Sequence, residues 1–130
     1  GGNTFKPVIR DLAMKCPDFM IIQCDWWSIF PREAYYEEKI DEHAGEQETS
    51  VMLHYHPELV AMETAGDGTP NPLKIEALNK KTGWMPRHWQ ETTIDTGIGN
   101  PKKSTAEKGA KNVKDVVDRI ADLLIELKNI

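Results

Sequence analysis

The sequence predicts an α/β fold with a parallel sheet, and three observations carry that reading. An amphipathic stretch from Asn3 to Lys15 leads directly into the apolar run Phe19-Met20-Ile21-Ile22-Gln23-Cys24. A helix followed by a strand buried on both faces is half of a parallel α/β repeat. The run stops at Asp25-Trp26-Trp27, which places two indoles just past the strand's C-terminal end, the edge where open α/β sheets bind ligands. A long amphipathic helix then closes the chain.

Each element has its own signal. In the first helix Phe5, Val8, Ile9 and Leu12 recur at helical spacing, Asn3 or Thr4 offers a cap, and Pro7 falls in or near the first turn. Cys16-Pro17-Asp18 ends it. Pro31 to Lys39 contains good helix formers and reads as a short helix. The acidic and small residues from Asp41 to Ser50, running into Val51-Met52-Leu53, read as loop, N-cap and helix, closed by His56-Pro57. Glu63 to Pro72 is a Gly- and Pro-containing loop, Leu73 to Leu78 a helical turn, and Trp89 to Ile94 a strand. Thr96 to Pro101 makes a tight irregular connection. Ser104 or Thr105 caps the final helix, whose buried stripe is Val113, Val116, Val117, Ile120, Leu124 and Leu127. Repeats and linkers are absent from the sequence, so residues 1–130 form part of a single domain.

Composition excludes several function classes. A formal charge of −5 over 130 residues, with pI near 5.4, leaves no basic stripe to neutralise phosphates and argues against nucleic acid. Lys102, Lys103, Lys108 and Lys111 are interrupted by Glu107 and read as a solvated helix face. The sequence has no apolar run of the ~18 residues that a membrane span needs and no visible signal peptide. Cys16 and Cys24 lack metal or redox spacing and read as reduced structural thiols, which favours the cytoplasm.

The chemistry concentrates between Glu42 and Ser50, where His43, Glu42, Glu46 and Glu48 crowd a Gly-containing loop at a helix start. Carboxylates with imidazole suit divalent metals and general acid–base steps. A helix N-terminus also favours carboxylates for structural reasons alone, so these residues by themselves leave both readings open.

The block His43-Ala44-Gly45-Glu46-Gln47-Glu48-Thr49-Ser50, continuing to Pro57-Glu58-Leu59-Val60, resembles the H-A-G-E-x-E-T-S…P-x-L-V block of the creatininase family. Gly97-Ile98-Gly99-Asn100-Pro101 and Ser104-Thr105-Ala106-Glu107-Lys108-Gly109 resemble its G-x-x-G-x-P…A-T-A-E-K-G block. Gly1-Gly2-Asn3 matches the end of its N-G-H-G-G-N, so the chain is expected to be the C-terminal half of a longer protein. The resemblance implies a three-layer αβα sandwich with a mostly parallel sheet, and a C–N hydrolase acting on a cyclic or linear amide through water activated by two metals. It also implies two divalent metal ions (zinc, with manganese or iron as alternatives), a small-molecule amide substrate, and a homo-oligomer, a hexamer by family habit. The N-terminal half of the same protein would complete the site.

Residue by residue, His43 matches the family histidine that shuttles a proton to the departing nitrogen, a task suited to an imidazole at neutral pH. Glu42 beside it is placed to tune the imidazole. Glu46 is assigned to the second metal, because creatininase proper has a ligating glutamate where this chain has Gly2 and an apolar residue where it has Glu46. Glu48 is expected to orient a ligand, and Trp27 to line the substrate pocket. Lys39 stands where creatininase has a pocket tryptophan, which suits a more polar or anionic amide. His54, His56 and His88 fit no ligand position and read as structural or surface groups. The competing class is a non-catalytic assembly or binding subunit that keeps the fold without a complete metal site.

Overall fold

The computed structural model describes residues 2–130, and side chains from Thr4 onward. Gly1 and the expected Asn3 cap therefore lie outside what is described. Helix α1 spans Gly2–Lys15. Because it begins earlier than expected, Pro7 lies inside it rather than in the first turn. A single 3₁₀ turn, Arg32–Ala34, stands where a short helix was expected. Next come strand β1 (Asp41–His43) and helix α2 (Glu46–Tyr55). Two 3₁₀ turns, Pro57–Leu59 and Met62–Thr64, lead to the short helices α3 (Glu76–Asn79) and α4 (Trp89–Thr92). Strand β2 (Ile98–Gly99), a 3₁₀ turn at Pro101–Lys103 and helix α5 (Ala106–Lys128) complete the order. The strands pair antiparallel, with Asp41 opposite Gly99 and His43 opposite Ile98 across an irregular register.

The predicted buried strand is the principal correction. Residues 19–24 take no part in a strand ladder among the described residues, and Phe19 is 71 % exposed. Backbone becomes a strand only when a neighbouring segment takes up its N–H and C=O groups in a ladder, and the described sheet consists of β1 and β2. The apolar face of α1 is bare in the same way, with Phe5, Val8 and Leu12 all exposed. The parallel sheet expected from the sequence is thus not present among the described residues.

Trp89–Ile94 is the second correction: it opens as helix α4. The β-branched pair Thr92-Thr93 suggested a strand, yet both side chains are buried in a helical turn. There the Thr92 hydroxyl donates to the His88 carbonyl and the Thr93 hydroxyl to that of Trp89. Such bonds to the carbonyl four residues back satisfy buried hydroxyls without a strand ladder.

Two regions position the site. Helix α2 lies against α5 at Gly109, where a Cβ would come within 2.0 Å of the Ser50 carbonyl oxygen, so only glycine permits this approach. The Thr105 hydroxyl caps α5 by accepting from the Lys108 N–H, as expected from the sequence. The core gathers Phe30, Tyr36 and Val116, with Trp26, Ile29, Tyr35 and Ile120 around them. Val117 and Leu124 of the expected stripe face outward instead. None of the described helices is long and apolar enough to cross a membrane.

Candidate active site

His43 ends β1, and the chain turns sharply into α2 behind it. Ala44 makes that turn in the left-handed region, at φ 52°, a conformation that costs a residue with a side chain about 1 kcal/mol or more. Strain of this kind persists where neighbours enforce it. Here the Glu48 carboxylate does so, its Oε2 accepting from the Ala44 N–H at 2.6 Å. The same oxygen lies 3.5 Å from His43 Nδ1, so one carboxylate holds both the turn and the imidazole. Trp89 packs edge-on against the His43 ring, 5.6 Å between centroids, and its indole N–H donates to the Thr96 carbonyl. His43 keeps 54 % of its side chain exposed, open to an incoming molecule.

The carboxylate beside the imidazole is therefore Glu48, and the role expected of Glu42 is corrected. Glu42 pairs with Arg87 at 2.6 Å, and the Arg87 guanidinium in turn lies over the Trp89 ring at 5.7 Å. Glu42 thus fastens the segment that carries Trp89.

Glu46 is corrected more strongly. Its side chain is fully buried, and its Oε2 accepts from the backbone N–H groups of Glu37 and Glu38, each at 2.8 Å. Its Oε1 accepts from the Lys108 ammonium at 2.5 Å. Burial pushes the Glu46 carboxyl up, but Lys108 and the two N–H donors outweigh that and hold it below its ordinary value. The hydrogen bond to Glu46 raises the Lys108 ammonium in turn. Both oxygens of Glu46 are therefore engaged within the chain, one by backbone N–H groups and the other by that ammonium. Among the described residues no three His, Cys, Asp or Glu side chains converge as a metal shell requires. The residues present do not fit a metal centre by themselves.

Trp27 and Lys39 do not join His43. Trp27 is 45 % exposed, edge-on to Trp26, and touches the α2 start only through its carbonyl, which accepts from the Gln47 amide at 3.4 Å. Lys39 lines a groove of about 500 Å³ with Glu37, Asp67 and Lys103. A separate cleft of about 240 Å³ opens behind Ala44, walled by Val60, Ala61, Ala65, Gly97 and Pro101 among others, with Asp95 in its lining. The two openings share only Gly68 and Gly99. His56 pairs with Glu58, His54 packs on Tyr55, and His88 lends its carbonyl to the Thr92 hydroxyl, in keeping with structural roles.

Four contributors escaped sequence reading. Asp41 has a side chain 3 % exposed; it accepts from the Arg32 guanidinium and from the Gln47 N–H in the first turn of α2, supplying the cap that Gly45 cannot. Lys108 read as a solvated charge although it sits inside the A-E-K-G block, and Trp89 read as a strand residue. Asp95 carried no signal beyond lying next to Thr96-Gly97.

Comparison with known proteins fits this geometry. A sequence model of the creatininase family, described as creatinine amidohydrolase, matches residues 1–124. The crystal structure of a candidate creatinine amidohydrolase from Bacteroides fragilis NCTC 9343 superposes with a TM-score of 0.85 at 54 % identity, covering 95 % of this chain and 49 % of that one. The chain thus spans about half the length of this solved relative. No match is found among curated proteins. With a family match over nearly its whole length and the fold of that relative, the chain belongs to the creatininase family.

Proposed function

We propose that the protein hydrolyses a C–N bond of a cyclic or linear amide, and that this segment supplies the group that protonates the departing nitrogen. The observation that carries the reading is His43, held by Glu48 at 3.5 Å and by the Trp89 ring, yet half open to solvent. Water adds to the carbonyl carbon and gives up a proton to the imidazole, the C–N bond breaks to leave a carboxyl group, and the leaving nitrogen takes that proton from the imidazole. An imidazole titrates near neutral pH and can do this repeatedly. Glu48 stabilises the protonated ring and fixes its orientation. The two divalent metal ions associated with the family, zinc with manganese or iron as alternatives, would be held by residues beyond this segment.

The same reading takes the bare face of α1 and the exposed apolar side chains Phe19, Met20 and Ile22 as surfaces covered by the rest of the protein. There the run would join a parallel sheet in a three-layer αβα sandwich, within a cytoplasmic homo-oligomer. Their exposed apolar side chains support this, because burying them is favourable. One observation favours the second reading, a non-catalytic subunit: the Glu46–Lys108 pair is closed where a metal ligand was expected.

The test is a panel of cyclic and linear amides offered to the full-length protein, wild type, His43→Ala and Glu48→Gln, with amine release and bound metal measured together. Turnover in His43→Ala is expected to fall roughly 10²–10⁴-fold at unchanged metal content. Metal loss parallel to activity would make His43 a ligand. A wild type that cleaves no amide in the panel would favour the binding subunit.

A further inference from the structure

Residues 72–91 leave the body of the chain and return to it at a neck closed by Asn71. The Asn71 N–H donates to the Thr92 carbonyl at 2.7 Å, and its side-chain amide donates to the Glu91 carbonyl at 3.0 Å. From Asn79 to Glu91 every residue is exposed, so burial does little to fix the returning leg that carries Arg87 and Trp89. Polar and ring contacts fix it instead. The Trp89 indole N–H donates to the Thr96 carbonyl at 3.0 Å. The Arg87 guanidinium donates to Glu42 Oε2 at 2.6 Å and lies 5.7 Å from the centre of the Trp89 ring.

These contacts close on themselves. Glu42 holds Arg87, Arg87 covers Trp89, and Trp89 meets the ring of His43, the residue next to Glu42 in β1, at 5.6 Å and an interplanar angle of 79°. The side chains of the ion pair are 34 % and 50 % exposed, and a pair this open adds little stability. Its consequence is geometric. A planar guanidinium can donate to a carboxylate and stack on an indole at once, so Arg87 sets the plane of the Trp89 ring as well as its place.

We infer that Arg87 is a positioning residue for proton transfer at His43, and that it acts through Trp89. The hydrolase reading supplies the proton transfer; the contacts alone supply the orientation of the ring. With 54 % of its side chain exposed and Glu48 3.5 Å from Nδ1, the imidazole would sample several rotamers if Glu48 were its one support. The Trp89 ring removes that freedom from a second direction. An imidazole that takes a proton from water and passes it to the departing nitrogen works from one orientation, and a misplacement of about 1 Å costs a reaction on the order of 10²-fold.

The experiment uses the full-length protein with ring-labelled histidine. The NMR signals of the His43 ring are identified by their loss in His43→Ala, and they sense the ring current of Trp89. Trp89→Leu is expected to displace them. Arg87→Ala and Arg87→Met, the second of which keeps the stem over the indole without the charged fork, should displace them in the same direction. Both should lower kcat roughly tenfold to a hundredfold at nearly unchanged KM. Arg87→Lys, which keeps the charge for Glu42 and loses the planar fork, should fall between these and wild type. In a Trp89→Leu background Arg87→Ala should cost nothing further, because the two residues act as one unit. If Trp89→Leu folds poorly, Arg87→Met still carries the ring signal and the split between kcat and KM. His43 signals unmoved in Arg87→Ala, losses that add in the double variant, or a raised KM at unchanged kcat would each overturn the inference. Since the ring signal needs no hydrolysis, displacement of His43 in a protein that cleaves no amide would refute the hydrolase reading and leave the positioning contact standing.

Discussion

Replacing Glu46 with glutamine separates an internal anchor from a metal ligand, and the structure sets the size of the effect. The substitution keeps the shape of the side chain and removes its charge. The N–H groups of Glu37 and Glu38 keep an acceptor, but a neutral one, and a bond to a charged acceptor exceeds one to a neutral acceptor by about 1 kcal/mol. The Lys108 ammonium loses its buried counter-ion and meets an amide donor. Removing one partner of a buried ion pair costs about 3–5 kcal/mol. Lys108 is only partly buried and keeps Glu37 Oε1 at 3.2 Å and the Lys103 carbonyl at 3.0 Å, which discounts that figure. The net expectation is roughly 2–3 kcal/mol. At about 2–4 °C per kcal/mol for a domain of 150–250 residues, Tm should fall roughly 4–12 °C, equally with and without a chelator. Thermal melts and elemental analysis of the full-length protein, wild type against Glu46→Gln, decide the matter. A Tm within about a degree of wild type, together with loss of a bound metal, would refute the anchor and restore the ligand.

The remaining expectations follow from the same geometry. Glu46 sits below its ordinary 4.5 when folded, so the stability it contributes is fully present above that value and drains away as pH falls from there through the lower folded value. Melts of wild type from pH 6 to pH 3 should therefore show an acid loss that Glu46→Gln largely lacks. Gly109→Ala places a methyl 2.0 Å from the Ser50 carbonyl oxygen, forces α2 off α5, and should cost at least about 1–3 kcal/mol by chemical denaturation. Lys39→Trp should leave amide turnover close to wild type, because Lys39 lines a groove separate from the cleft behind Ala44; a gain in turnover of creatinine would instead place Lys39 in the substrate pocket.

The chain's own periodicities determined the elements whose stabilising partners are close in sequence. Helix α1 follows from the spacing of Phe5, Val8, Ile9 and Leu12, and α5 from its Thr105 cap and apolar stripe. Helix α2 follows from the acidic text before Val51, and the family from its two motif blocks. These rest on local hydrogen bonds, which a sequence displays. Tertiary structure decided which carboxylate does what. Glu42, Glu46 and Glu48 are equivalent letters, but they face Arg87, Lys108 and His43, and those partners arrive from segments as far away as α5. Asp41 becomes a helix cap only when β1 pairs with β2. Phe19 to Cys24 has the composition of a buried strand, but a strand is a relation between two chain segments, and the described sheet consists of β1 and β2.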